Sequence, residues 1–347
     1  MIGRIVREDL AKVAQTISPQ VKELVSTDLV LTGATGFVGK WLVGAWLHGA
    51  NEFGGDGRLL LSSRNPEKIF ETYPEIQTNS RVSLQAVDIR KLEIPSDFSG
   101  CNVIHGATAA SEHLNVNAPF EMIDVIVQGT RRVVDECGRV GTRKLVFLSS
   151  GAVYGFGKVG CLPFSELDIS GPSTTDSRNA YHEAKRLAEL LVTIGGERYG
   201  FQELSLRLFT FVGPYLPLDR HFAVGMFIRE ALTERRVRIR SGGGSVRSYQ
   251  YGADMARDII FCTSRDMKHT TYNVGSPQPI SIAQLAHSVA SAAGDDISVE
   301  ISGMDTAETT SAYVPDTSRI MAESTYSESV DLVEALERTI LATREVL

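Results

Sequence analysis

Short apolar runs alternate with longer helical patterns from residue 28 onward, and this alternation constrains the fold more than any other feature of the sequence. The strand-like runs read DLVLT, RLLLSS, RVSLQAVD and CNVIHGA, and the first is followed by the helical pattern GKWLVGAWLHGA. Continuous apolar strands that alternate with helices form parallel sheets covered on both faces. The sequence therefore predicts an α/β fold with a doubly wound parallel sheet.

The same alternation continues toward residue 208, where the composition changes. It predicts helices at about 117–140 and 178–199 and strands at Lys144–Ser149 and 203–208. Beyond Pro214, loops rich in Gly, Pro and Arg separate helices at about 221–234, 252–263 and 281–293. We predict an amphipathic helical arm for packing or oligomer contact, a doubly wound domain, and a smaller α/β lobe from which some elements return to that domain. These segments are residues 1–27, 28–213 and 214–347.

A glycine-rich turn, TGATGFVG, directly follows the first predicted strand. Gly33 permits a tight turn, Gly36 lets the backbone approach a pyrophosphate, and Gly39 allows close packing of the helix on the strand. The helix N-terminus adds unpaired N–H groups and a positive dipole. A glycine turn alone is equally compatible with a plain tight turn, but the strand-turn-helix context predicts a dinucleotide site. The expected contacts are Gly33, Thr35, Gly36, Phe37, Val38 and Gly39.

The second predicted strand ends in Ser62-Ser63-Arg64, where a NAD-selective site would place an acidic residue on the ribose hydroxyls. The Ser63 hydroxyl and the Arg64 guanidinium suit a 2′-phosphate instead, because arginine presents a planar fork to phosphate oxygens. The alternative is that Arg64 is a solvated loop residue. We therefore predict NADP as the cofactor, with NAD as the alternative.

The third and fourth predicted strands also end in residues that could reach a cofactor. Asp88 closes the third strand, and its carboxylate and the Ile89 amide are expected to meet the adenine. The alternative for Asp88 is a cap of a helix or turn. In His105-Gly106-Ala107, small residues allow backbone contact, so Ala107 is an expected cofactor contact, whereas we expect His105 to be structural.

Ser150, Tyr181 and Lys185 form the candidate catalytic set. Ser150 ends the fifth predicted strand, and Tyr181 and Lys185 lie four apart on one helical face. A tyrosine hydroxyl titrates at about pH 10, so it needs a nearby cation to transfer protons at neutral pH. Lys185 would supply that field, helped by an oxidised nicotinamide, and Ser150 would bind the reacting oxygen of the substrate. The Tyr-x-x-x-Lys spacing alone occurs by chance on many helices; the preceding strand end and glycine turn favour the catalytic interpretation.

The chain resembles the extended short-chain dehydrogenases/reductases over about residues 28–340. The ordered motifs that carry the resemblance are TGATGFVG, VDIR, HGA, LSSGAVYG, YHEAK, RLFTFVGP and RSYQYGAD. The resemblance implies a Rossmann fold, a C-terminal sugar-nucleotide lobe and frequently a homodimer built from helices such as 117–140 and 178–199. We also expect Tyr181 and Lys185 to contact the cofactor.

Arg247 resembles the arginine with which sugar-nucleotide members of this family bind the substrate pyrophosphate. Arginine suits that role because it stays charged and binds oxygens bidentately. Thr210 and His221 are candidate sugar contacts, although Thr210 stands where many relatives carry Asn. Ile126 likewise replaces a common Asn. Further arginines make the lobe locally basic: Arg235, Arg236, Arg238 and Arg240. We expect the first two to be solvated residues at a helix end.

Several reactions fit this set of residues. The 4,6-dehydratases of the family carry acidic residues after the catalytic Ser/Thr, and Gly151 and Ala152 stand there instead, so dehydration is disfavoured. We predict NADP-dependent 4-keto reduction of a sugar nucleotide, with a 4-epimerase as the main alternative. A reductase of non-nucleotide carbonyls and a non-catalytic dinucleotide sensor are further alternatives. The arginine-rich lobe disfavours the former, and the complete Tyr/Lys pair disfavours the latter.

Charge and cysteine content bear on partners and location. A formal net charge of -7 over 347 residues disfavours a nucleic-acid partner. The four cysteines have neither metal-site nor disulfide spacing, so we predict no metal site and a reducing compartment. No apolar run approaches the roughly 18 residues needed to span a bilayer, and the N-terminus has no signal-like block. We therefore expect a cytoplasmic enzyme without a membrane partner.

Overall fold

The computed structural model describes residues 3–108, 112–157, 163–168, 170–218, 222–306, 310–324 and 326–345. Contacts between Cα atoms divide the chain into two compact units. Unit 1 comprises Met1–Val153, Gly171–Leu208 and Ala256–Tyr272, and unit 2 comprises Tyr154–Ser170, Phe209–Met255 and Asn273–Leu347. The chain thus passes between the units at several points.

The strands and helices alternate along the first two hundred residues. The strands are β1 (Leu29–Thr32), β2 (Leu59–Ser63), β3 (Val82–Ala86), β4 (Asn102–His105), β5 (Lys144–Ser150), β6 (Gln202–Leu208), β7 (Phe211–Val212), β8 (Arg236–Ile239), β9 (Val246–Arg247), β10 (Gln250–Tyr251), β11 (Thr271–Val274), β12 (Ile280–Ser281), β13 (Ser298–Ile301) and β14 (Ala312–Tyr313). The helices are α1 (Arg4–Thr16), α2 (Ser18–Ser26), α3 (Phe37–Phe53), α4 (Glu112–Asn117), α5 (Pro119–Val140), α6 (Ala180–Tyr199), α7 (Ala223–Glu234), α8 (Gly252–Thr263), α9 (Ile282–Ala293), α10 (Ser318–Glu323) and α11 (Leu332–Arg344).

The described residues form one seven-stranded sheet, in the order β11-β6-β5-β4-β1-β2-β3. The pairs from β3 across to β6 are parallel. The chain order reverses at β1, because β2 follows on one side of it and β4 on the other. This arrangement confirms the predicted Rossmann-like, doubly wound fold, in which ligands bind outside the carboxyl ends of the strands where the order reverses.

The register of the sheet determines which residues reach that edge. Thr32 on β1 pairs with Ser62 on β2 and with His105 on β4, so these three strands end together. On β5, Phe147 pairs with His105, and the strand continues to Ser150. Ser150 therefore lies beyond the end of β4 and pairs with Leu208, the last residue of β6.

Helices α5 and α6 pack against one face of the sheet. Pro119 lies in the first turn of α5, where the missing N–H costs no intrahelical bond. The α5 side chains Met122, Ile126 and Val133 share one buried cluster with Val192 of α6 and with strand residues. Burial of each such side chain contributes about 1.5–3 kcal/mol. The core thus fixes α6 against β5, and the candidate catalytic residues lie on these two elements.

The N-terminal arm differs from the prediction of one continuous helix. It forms two helices, α1 and α2, which meet at Ile17. The break follows from Pro19, which lies in the first turn of α2 and cannot donate a backbone hydrogen bond to α1. The apolar residues Val13 and Val21 are buried, and a Cβ added at Gly49 of α3 would overlap Val21. The arm therefore packs on α3 within unit 1.

Unit 2 contains short strand pairs and helices. Its pairings are β7 with β10, β8 with β13, and β9 with both β12 and β14. The helix α9 begins with a capping box, in which Ser281 and Gln284 satisfy each other's backbone N–H groups. Along the described ranges of both units, no helix has the length and apolarity needed to cross a membrane.

Candidate active site

Backbone contacts hold the turn between β1 and α3. The N–H of Gly33 donates to Ser62 O at 2.9 Å, and that of Gly36 donates to Gly33 O at 3.1 Å. Gly33 has φ +78°, and a Cβ there would lie 2.7 Å from the carbonyl carbon of Gly106. A Cβ on Gly39 would overlap Gly33 O, so α3 packs directly on the turn. Among the residues that the structure describes, a Cβ on Gly36 would meet only Gly33 O, at 3.4 Å, which leaves room for a ligand beside Gly36.

This edge of the sheet fits a nicotinamide dinucleotide. Gly36 gives α3 no side-chain cap, and the N–H groups of the first turn of a helix attract anions. Two buried hydroxyls, Ser63 Oγ at the end of β2 and Thr108 Oγ1 after β4, have no hydrogen-bond partner within the described residues. Buried polar atoms normally have partners, so these two are suited to a bound polar molecule. All six residues predicted from the turn lie together here: Gly33, Thr35, Gly36, Phe37, Val38 and Gly39.

The residues after β2 and β3 carry opposite charges. Arg64 is exposed. The pKa of Asp88 is lowered to about 2, mainly by the side-chain hydrogen bond from Arg90, with a smaller contribution from the positive charge of Arg64. Asp88 accepts hydrogen bonds from Arg90 N at 2.9 Å and Nη2 at 2.7 Å and caps the short turn that follows. The structure thus gives Asp88 the capping role that was the alternative, and its contact with adenine stays a prediction. The side chain of Ile89 is buried against Gly129, which leaves its backbone for the predicted contact.

His105 links the ends of β1 and β4 to α5. Its Nδ1 lies 2.8 Å from Thr32 Oγ1, and its Nε2 lies 3.2 Å from Thr130 Oγ1. Thr32 Oγ1 also accepts hydrogen bonds from the N–H groups of Gly106 and Ala107, each at 3.1 Å, so its own proton is donated to Nδ1. Burial lowers the pKa of His105 to about 3, so the ring is neutral. This network fixes Ala107 at the edge where the cofactor is predicted.

Ser150 and Tyr181 meet where β5 ends and α6 begins. Ser150 Oγ accepts a hydrogen bond from Ala152 N at 3.1 Å, and the Ser150 side chain is hydrogen-bonded to Tyr181. Burial raises the pKa of Tyr181 above its usual value, and the hydrogen bond with Ser150 opposes that rise. Tyr181 is therefore a neutral phenol at pH 7, able to donate a proton. Asn115 Oδ1 accepts a hydrogen bond from Tyr181 N at 3.0 Å and so fixes the start of the helix.

Lys185 lies one helical turn after Tyr181 and is 2% exposed. Its Nζ donates to Leu148 O at 2.8 Å and lies 4.5 Å from the centroid of the Phe147 ring. Burial lowers the pKa of Lys185 to about 7, and the negative charge of Glu189 opposes that effect. The influences on the Tyr181 pKa are burial and Ser150, so the field that we predicted from Lys185 stays a prediction.

Two polar residues beside the candidate catalytic set, Glu189 and Asn115, were not predicted from the sequence. Glu189 contacts Ser149 and Arg207 through its carboxylate, and Asn115 holds the start of α6. A signal for Glu189 existed, because it follows Lys185 by four residues and so shares its helical face. No sequence spacing connects Asn115 with Tyr181, since they are far apart along the chain.

Two of the predicted substrate residues, Thr210 and Arg247, lie in unit 2, whereas Ser150 lies in unit 1. Arg247 is half-buried, and its guanidinium donates to Ser311 O at 3.0 Å and Ser311 Oγ at 2.9 Å and lies 5.3 Å from the centroid of the Phe156 ring. Within the described ranges it has no carboxylate partner, and burial lowers its pKa. Thr210 Oγ1 donates to Ser248 O at 2.5 Å, so its proton is already used. His221 lies outside the described residues.

Comparisons with known proteins relate this geometry to a family. Residues 29–275 match the model of the NAD dependent epimerase/dehydratase family. UDP-glucuronic acid decarboxylase 1 of Arabidopsis thaliana is 25% identical over 314 residues, 90% of this chain and 68% of that protein. UDP-glucuronate 4-epimerase of Thermodesulfobacterium geofontis is 24% identical over 328 residues, 91% of this chain and 96% of that protein.

A solved structure gives the same fold. The UDP-N-acetylglucosamine 4-epimerase from Methanobrevibacter ruminantium, in complex with UDP-N-acetylmuramic acid, superposes with a TM-score of 0.80 at 20% identity. The match covers 93% of this chain and 99% of that one. The family model covers well over half of the chain and contains the glycine turn and the candidate catalytic set. The resemblance found in the sequence is therefore confirmed, and the chain is an enzyme of the NAD dependent epimerase/dehydratase family.

Proposed function

We propose that this enzyme transfers hydrogen at C4 of a sugar nucleotide. The observation that carries the proposal is the hydrogen bond between Ser150 and Tyr181, with Lys185 buried one turn further along α6. All three lie in unit 1, at the carboxyl end of the sheet that also carries the glycine turn. A proton carrier beside a dinucleotide site is what oxidation of a secondary alcohol and reduction of a ketone both require.

The side chains of the protein bind the C4 oxygen of the sugar and transfer its proton. A bound nicotinamide supplies the hydride acceptor or donor. The Ser150 hydroxyl holds the C4 oxygen of the sugar against Tyr181. The Tyr181 hydroxyl gives its proton to that oxygen during reduction and takes the proton back during oxidation. Lys185, when charged, stabilises the tyrosinate that forms in the first case. Gly33, Gly36 and the N-terminus of α3 hold the pyrophosphate of the dinucleotide.

We favour 4-epimerisation as the outcome, because two of the similar proteins are named 4-epimerases. An epimerase oxidises and re-reduces the same carbon, and Ser150 and Tyr181 suffice for both directions. The second candidate is the NADPH-dependent 4-keto reduction predicted from the sequence. The strand end Ser63-Arg64 supports it, because a hydroxyl and a guanidinium suit the 2′-phosphate of NADP.

A substrate panel separates the two candidates. UDP-glucuronate comes first, because both curated relatives are named for it, followed by other UDP-hexoses and 4-keto-6-deoxy sugar nucleotides, each with NADH or NADPH. Conversion between epimers without net change in nicotinamide absorbance establishes the epimerase. Stoichiometric loss of NADPH establishes the reductase. Carbon dioxide release or silence from the whole panel rejects both.

Arg64→Ala tests the cofactor preference. We expect the dissociation constant of NADPH to rise about 10- to 100-fold, because a charge-assisted hydrogen bond to phosphate contributes about 1.5–3 kcal/mol. The dissociation constant of NADH should change little, as measured by fluorescence titration. Lys68→Ala is the matched control, since it removes a nearby exposed positive charge. Equal weakening of NADH and NADPH contradicts the NADP assignment.

Arg247→Ala tests the substrate class. Arg247 is a half-buried cation with no carboxylate partner in the residues that the structure describes, and we propose that it binds the pyrophosphate of the sugar nucleotide. The dissociation constant of UDP should rise about 10- to 100-fold by calorimetry. Arg240→Ala, which removes an exposed arginine of the same unit, should have little effect. The sugar-nucleotide assignment is rejected if UDP does not bind the wild type. It is also rejected if the dissociation constant of UDP is the same for Arg247→Ala as for the wild type.

We also propose a homodimer in the cytoplasm. The exposed apolar residues Leu187, Leu190 and Ile194 share one face of α6, which supports a helical interface such as the one that the family resemblance implies. The buried free thiols of Cys101, Cys137 and Cys262 support a reducing compartment. Light scattering of the purified protein measures the mass directly, and a monomer at all concentrations rejects the dimer.

A further inference from the structure

Glu189 lies behind the candidate catalytic set, and the mechanism above does not use it. It follows Lys185 by four residues, so both side chains lie on one face of α6. Its carboxylate accepts hydrogen bonds from Ser149 Oγ at 2.6 Å and from Arg207 Nε at 3.0 Å and Nη2 at 2.8 Å. Ser149 directly precedes Ser150 on β5 and pairs with Arg207 on β6. One carboxylate thus joins α6, β5 and β6 next to the reacting groups.

Few charges surround Lys185. On α6, Tyr181 is a neutral phenol because burial raises its pKa, and Glu189 is the residue whose charge acts on Lys185. On β4 the imidazole of His105 is neutral, because burial lowers its pKa to about 3. The nearby part of β5 contributes a backbone carbonyl and an aromatic ring, neither of which titrates. On β6, Arg207 lies beyond Glu189 and adds a positive charge. Glu189 is therefore the negative charge that acts on Lys185, and it raises the pKa of the lysine against the effect of burial.

We propose that Glu189 is a positioning residue for the catalytic set: through Ser149 it fixes the strand end that carries Ser150, and its charge keeps the proton on Lys185. The role of Glu189 in catalysis rests on the proposed function. Its effect on the protonation of Lys185 does not, because that effect exists in the protein without substrate. If the Glu189 carboxylate is removed, burial favours the neutral amine of Lys185. The positive charge of Arg207 then also repels the charged form of Lys185. Lys185 would then lose its proton at a lower pH.

The Lys185 amine can be titrated by NMR in protein labelled with ¹³C at lysine Cε, with its signal assigned by its loss in Lys185→Met. Glu189→Gln keeps the size of the side chain and an acceptor for Ser149. We expect it to lower the titration midpoint of Lys185 by about one pH unit or more. Glu189→Gln combined with Arg207→Gln avoids an unpaired guanidinium, so it guards against misfolding, and its midpoint should still lie below that of the wild type.

Glu136→Gln is the matched control, because Glu136 is a buried carboxylate of α5 that pairs with Arg139 instead. Its Lys185 midpoint should equal that of the wild type. An unchanged midpoint in both Glu189 variants overturns the proposal, and so does an equal fall in Glu136→Gln. In the enzyme assay, the alkaline limb of the kcat/KM profile should move to lower pH with the midpoint. A wild type inactive on the whole substrate panel, with the midpoint shift intact, rejects the proposed function and leaves the role of Glu189 on Lys185 standing.

Discussion

Tyr181→Phe is expected to lower kcat by about 10²- to 10⁴-fold, the usual contribution of a positioned proton carrier. The substitution removes only the hydroxyl that is hydrogen-bonded to Ser150. Its ring packs against the α5–α6 core and is retained, so the fold and the dissociation constant of the dinucleotide should change little. Rates with the substrate that the panel identifies, together with fluorescence titration of NADH and NADPH, measure both quantities.

Tyr199→Phe provides the comparison on the same helix. Tyr199 ends α6, and its hydroxyl donates to Asp135 at 3.0 Å on the exposed surface. We expect kcat to stay within a factor of about two, since changes at exposed hydrogen bonds remain within about 0.5 kcal/mol. If Tyr181→Phe keeps more than about a tenth of the wild-type kcat, the phenol does not carry the proton and another acid must be sought.

Gly33→Ala should be the most destabilising single change in the cofactor turn. A left-handed conformation costs an alanine about 1–2 kcal/mol, and overlap with packed atoms costs about 1–3 kcal/mol more. Gly33 has φ +78°, and its added Cβ would lie 2.7 Å from Gly106 C and O, which are backbone atoms that cannot rotate away. We expect the free energy of unfolding, measured by urea titration, to fall by the sum, about 2–5 kcal/mol, with loss of dinucleotide binding.

Gly100→Ala separates the two contributions. Gly100 has φ +75°, almost the angle of Gly33, but a Cβ there would meet no atom of the described residues within 4 Å. The free energy of unfolding of Gly100→Ala should therefore fall only by the conformational cost of about 1–2 kcal/mol. Equal losses at the two positions would show that the close approach of the turn to the end of β4 does not matter for stability.

The features that could be predicted from the sequence are those determined by neighbours along the chain. The order of strands and helices follows from periodicity, and the observed helices α5 and α6 begin within about two residues of the expected positions, as such boundaries usually do. The glycine turn and the Tyr181–Lys185 pair have local spacings that impose their geometry. The amphipathic pattern of the N-terminal arm predicts a single helix, whereas Pro19 divides it into α1 and α2.

The features that could not be predicted depend on pairing between distant segments. Glu189 meets Arg207 only because β6 lies beside β5 in a particular register. Arg247 meets Ser311, 64 residues away, because β9 pairs with β14. Asp88 was ambiguous for a different reason, since capping a turn and binding a ligand both call for a short carboxylate at a strand end. The sequence is compatible with both roles of Asp88, the turn cap and the ligand contact, and does not distinguish them.

The interleaving of the two units has a consequence for how the protein folds as it is synthesised. Domains generally fold as the ribosome releases them, N-terminal first. Unit 1 cannot be completed in this way, because its last segment ends at Tyr272, within the edge strand β11 that lies beside β6. Until that segment emerges, β6 has an unpaired edge, which is a site for wrong association. A nascent chain of this enzyme is therefore most exposed to aggregation while residues 209–271 are being added, and a chaperone would be needed most in that interval.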